Sequence, residues 1–142
     1  GVRNTYQDGA RNALDYERAL EHSGCARYFS DWVAFRLSEK GSLLRHYNRA
    51  PEGFFAFLPA ESGNAFACVY NASGAWGSRK LLFGANPGSG PARVSLGEWG
   101  GKTWRQLADH ERFMEARDGV WANQPGETLF LPRTACGLWE LS

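Results

Sequence analysis

At 142 residues, with 43% hydrophobic and 14% aromatic residues, the chain is sized for one domain that buries roughly two-thirds of its unfolded surface. Sixteen basic and fifteen acidic residues leave a formal charge of +1, which gives DNA no support as a partner through bulk charge and leaves only a local patch. No apolar run approaches the roughly 20 residues that cross a bilayer as a helix, and no basic-then-apolar secretory leader is present.

The chain opens at Gly1-Val2 without a methionine, which reads as a processed or trimmed product. Its clearest element follows at once. Val2, Tyr6, Ala10, Ala13, Leu14 and Leu20 fall at helical spacings and predict one apolar stripe on a helix over about 4–23. Arg11, Asp15, Arg18 and Glu21 belong mainly to the other side. Their pairs at i,i+3 and i,i+4 add tenths of a kcal/mol each. Ser23-Gly24 predicts the stop, since glycine takes the left-handed cap conformation without a Cβ penalty.

A β-rich body is expected over about 28–142. Val33, Phe35 and Leu37 alternate with Ala34, Arg36 and Ser38, the period of a half-buried strand; a helical turn over 30–35 competes. Glu39–Ser42 reads as a turn, and Ser42–Asn48 as a returning strand. Gly53–Pro59 predicts a strand ended by proline, and Ala65–Tyr70 the next. Asn71-Ala-Ser73 is a turn that also matches a glycosylation sequon. Arg79–Gly84 predicts a further strand of an antiparallel meander.

Residues 84–103 are rich in glycine and read as surface loops around a brief strand at Ala92–Gly97. Trp99 and Trp104 are expected to pin them to the body. Over 104–122 a helix carrying Trp104, Leu107, Ala108, Glu111 and Met114 competes with a hairpin turning at Asp118-Gly119, the turn dipeptide that type I′ geometry favours. The hairpin is preferred. Thr128–Pro132 and Gly137–Leu141 read as one interrupted closing strand. The fold class is therefore α+β: a single domain over 1–142, with an N-terminal amphipathic helix packed on an antiparallel meander.

No catalytic constellation stands out, and no enzyme activity or cofactor is expected. His22, His46 and His110 lack metal-ligand spacing with one another, and Asp109-His110-Glu111 is too local to converge on one ion. No phosphate loop and no nucleophile elbow is present. Cys25, Cys68 and Cys136 form no Cys-x-x-Cys pair, and read either as buried thiols or as one disulfide with a thiol left over. Arg27, Arg36, Arg45, Arg49, Arg79 and Lys80, with Tyr28, Trp32 and Tyr47 interleaved, have the composition of a single-strand-binding strip; scattered surface arginines explain them equally.

The segment Ala10-Arg-Asn-Ala-Leu-Asp-Tyr-Glu-Arg-Ala-Leu-Glu-His-Ser-Gly-Cys25 resembles the helix exit of minor type IV pilins and type II secretion pseudopilins, of the PilW- and GspJ-like groups. Those helices run from an Ala-Arg-x-Ala-Leu pattern to a small residue and glycine. A second stretch, Leu107–Trp121 with Leu131-Pro-Arg133 and the closing strand, is similar to their C-terminal hairpin. Together the two cover roughly a third of the chain. The family's Phe-Thr-Leu-x-Glu mark and apolar membrane helix are not among these residues, as when that half-helix has been removed.

The resemblance implies a pilin-like fold, with Tyr6, Ala10, Ala13, Leu14 and Leu20 on the assembly helix. It implies anchoring in the inner membrane through the missing helix, exposure to the periplasm, and then a place in an extracellular filament. The filament would be a type IV pilus or a secretion pseudopilus, serving protein secretion, cell adhesion or DNA uptake. Partners would be other pilin or pseudopilin subunits. An oxidising compartment would favour one disulfide among Cys25, Cys68 and Cys136. Asn86, Ser89, Trp99 and Trp104 would be the binding residues of the 84–103 loop. The rival reading is an exported inhibitor or immunity-type protein that blocks a partner with that same loop.

Overall fold

The computed structural model describes residues 18–45, 49–113 and 124–141. Helix α1 (Arg18–Glu21) is separated by His22 alone from helix α2 (Ser23–Leu37). A 3₁₀ turn (Lys40–Leu44) follows, then, among the described residues, seven strands: β1 (Phe55–Pro59), β2 (Phe66–Tyr70), β3 (Leu81–Asn86), β4 (Ala92–Ser95), β5 (Trp104–Asp109), β6 (Thr128–Leu131) and β7 (Ala135–Leu141). A second 3₁₀ turn covers Gly97–Trp99. The chain is α+β, with an antiparallel sheet.

Of the helix expected over about 4–23, residues 4–17 lie outside the described residues; among those described, the longest helix is α2. It does not stop at Ser23-Gly24, and it includes Val33, Phe35 and Leu37, which read as a strand. Gly24 costs the helix about 1 kcal/mol relative to alanine. The packing of the next three turns outweighs that. Tyr28, Trp32 and Phe35 stand at i, i+4 and i+7, so they share one face, and that face lies on the sheet. Phe35 is buried against Leu81, Leu107 and Leu138, Trp32 meets Phe113 edge-on at 5.4 Å, and the Tyr28 hydroxyl donates to the Asp109 carbonyl at 2.8 Å. The period-two pattern at 33, 35 and 37 was a by-product of apolar residues on both sides of one helix. Of the expected assembly residues, Tyr6, Ala10, Ala13 and Leu14 lie outside the described residues, and Leu20 is 81% exposed rather than set against the sheet.

The sheet is also more than a meander. Its order is β1-β2-β3-β7-β5, and β4 pairs with β6 in a separate two-stranded ribbon. The expected closing strand is thus two strands in two sheets, divided by a turn in which Thr134 takes φ +48. Strand β7 sits inside the sheet, between β3 and β5, because it is apolar on both sides: Leu138 faces the helix and Trp139 faces the ribbon, each almost fully buried. Residues 104–109 are strand, not helix. The chain then turns tightly, Asp109 N–H donating to the Arg112 carbonyl, and Phe113 bridges back to Ala108. Asp118-Gly119 lies outside the described residues. Residues 42–44 are 3₁₀ rather than strand.

Alternation assigns the two faces of the sheet. Ala67, Val69, Leu82 and Trp139 point to one side, where Val94, Leu129 and Leu131 of the ribbon, with Leu96, Trp99 and Trp104, complete a core. Gly84 is needed beneath this ribbon: a Cβ there would stand 2.8 Å from a Leu129 methyl. Cys68, Phe83 and Leu138, opposite one another in register, point to the other side, toward α2.

Candidate interaction surface

The helix covers only part of its face of the sheet. Its contacts run along β5 and β7 through Tyr28, Trp32 and Phe35, and among the described residues no helix packs on β1 or the outer part of β2. Phe55, Phe57 and Pro59 lie opposite Tyr70, Cys68 and Phe66, so these side chains share the face on which the helix packs. Phe57 is 69% exposed, and Phe55 and Phe66 are each more than a third exposed. Phe55 stacks edge-on with Tyr70 at 5.3 Å and tilts toward Phe57 at 6.0 Å, while Phe66 tilts toward Phe83 at 6.3 Å. The result is an aromatic floor beside the helix.

The helix presents a second apolar stripe to solvent. Phe29, Val33 and Leu37 follow each other at i, i+4 and i+8 on the side opposite Phe35, and are 63%, 56% and 64% exposed. A scattered exposed leucine is ordinary on a soluble surface; three aligned residues beside an aromatic floor make a contiguous patch.

The sequence-derived candidates fall elsewhere. Trp99 and Trp104 are inside, where they pin the 84–103 segment as expected: the Trp104 indole N–H donates to the Trp99 carbonyl at 3.0 Å, and Lys102 Nζ lies 4.6 Å over the Trp99 ring. Asn86 is also buried. Its Nδ2 donates among the carbonyls of Gly90, Leu131 and Pro132, and its Oδ1 accepts from Gly88 N–H. It ties the 87–91 loop to the end of β6. Only Ser89 is at the surface. An inserting loop needs its aromatics outside, and here they are core.

Other polar candidates are held in the same way. Asn71 Nδ2 donates both hydrogens to the Gly77 and Arg79 carbonyls, and Oδ1 accepts from Trp76 N–H. Fully buried at φ +58, the sequon asparagine is a turn device in the folded chain. Asp109 Oδ1 accepts from Glu111 and Arg112 N–H. Arg79 and Arg105 converge on Glu140 at 3.1 and 2.6 Å. With Arg79 so engaged, Arg45 donating to the Ser38 carbonyl, and Tyr28 and Trp32 turned onto the sheet, the interleaved basic strip does not assemble as a stacking platform. His46 and Tyr47 lie outside the described residues. Among the described residues, no three or more His, Cys, Asp or Glu residues gather as a metal site.

The three cysteines are free thiols. Cys68 on β2 and Cys136 on β7 have β3 between them and are offset in register. Two strand spacings are about 9.6 Å, beyond the roughly 7 Å Cα separation that a disulfide spans. Cys25 is exposed on α2. Burial pushes the Cys136 thiol up, with the Asp109 carboxylate adding to it, and raises Cys68 to about 11 from 9.0.

A raised folded-state value means that the native state holds this proton more tightly than the unfolded chain does. The stabilisation is complete below pH 9 and is lost as pH rises toward about 11. Thermal melts should therefore fall between pH 9 and 11, and Cys68→Ala should flatten part of that fall. An identical slope in the variant would refute the assignment. At pH 8 with a thiol-reactive dye, Cys25 should label fast, and Cys68 and Cys136 only on unfolding.

Compared with known proteins, the sequence matches no family model and no curated protein. No helix among the described residues is long and apolar enough to cross a membrane.

Proposed function

We propose that the chain is a structural subunit, a minor pilin or pseudopilin, of a type IV pilus or type II secretion filament, and that it acts by assembly rather than catalysis. One observation carries this reading. Helix α2 packs one face on the sheet and exposes a second stripe, Phe29, Val33 and Leu37, on the opposite side. A helix that only capped its own sheet would be polar there. A helix that also packs against other subunits needs both faces apolar. The α+β arrangement and the resemblance of the Ala10–Cys25 segment to the helix exit of pilins agree with it.

The test is incorporation. With the protein expressed from its own gene, the double variant Phe29→Asp, Val33→Asp should vanish from the sheared filament fraction, or abolish secretion, while the isolated domain melts as before. Both side chains are exposed, so stability should change by no more than about 0.5 kcal/mol. Normal incorporation of the variant refutes the reading. So does an ordinary secretory signal cleaved directly before Gly1, where a prepilin leader and apolar helix are expected.

A further inference from the structure

We draw no further inference here: the strongest candidate, the apolar surface patch formed by the outer stripe of α2 and by Phe57 and Phe66 on β1 and β2, belongs to the surface already described, and nothing in the structure shows what covers it.

Discussion

Replacing Trp104 by alanine should destabilise the domain by about 4 kcal/mol, within the range for truncating a buried tryptophan. That is a large fraction of the roughly 5–15 kcal/mol that holds a domain of this kind together. Trp104 is fully buried on β5, faces Trp139 and Leu96 in the core under the ribbon, and joins the Gly97–Trp99 turn to the sheet through its indole N–H. Removing it leaves a cavity and an unpartnered Trp99 carbonyl together. Trp104→Phe separates these terms: most of the apolar volume stays, the hydrogen bond goes, and the cost should fall to about 1–3 kcal/mol. Urea unfolding of the three proteins measures both values. A loss below about 1 kcal/mol for Trp104→Ala would show that the ribbon contributes little to holding this face.

How far these features could be read from sequence depended on how local their causes are. Strands β1, β2 and β3 were found within two or three residues, because alternation and the breakers Pro59, Gly63 and Asn71 act at short range. The role of Trp99 and Trp104 in pinning a glycine-rich segment was legible for the same reason. Helix α2 was missed because its two apolar faces superpose a false period of two on a true period of 3.6. The spacing of Tyr28, Trp32 and Phe35 was the signal that would have found it.

Pairing between distant segments was not legible at all. Nothing near β7 announces that it lies between β3 and β5. Its burial on both faces follows from Leu138 and Trp139 being adjacent and apolar, a pattern that also fits a helix. The candidate site moved for a related reason. Aromatic loop residues suggest a binding surface by type, but Trp99 and Trp104 are drawn inside because the sheet face beneath the ribbon needs their volume. The exposure of Phe57 and Phe66 was not legible either, because alternation marks a strand without saying what packs over each face.

The seating of α2 and of the turn that follows it rests on a small residue. Gly41 lies in the 3₁₀ turn just after α2, and a Cβ added there would stand 2.0 Å from the Phe35 carbonyl oxygen and within 3.0 Å of two further backbone atoms. Backbone cannot rotate aside as a side chain can, so Gly41→Ala must push the turn away from the end of the helix. The Ser38 connection is strained with it: Ser38 Oγ donates to the Phe35 carbonyl at 2.7 Å and accepts from Gly41 N–H at 3.2 Å. The displaced turn carries Leu43, which is buried beside Phe35 and Leu81. A cost of about 3 kcal/mol is expected, at the upper end for overpacking.

The loss should be uneven, because the core under the ribbon shares no side chain with this one. Hydrogen exchange should quicken through 23–44 and at Asp109 while Val69, Leu82 and Trp139 stay protected, the behaviour of a unit that opens by itself. Gly41→Ala should then impair filament incorporation, which uses the helix stripe, even though Gly41 is buried and forms no part of that stripe. If Gly41→Ala leaves incorporation unchanged while α2 exchanges freely, the stripe does not need its sheet-bound geometry to be recognised.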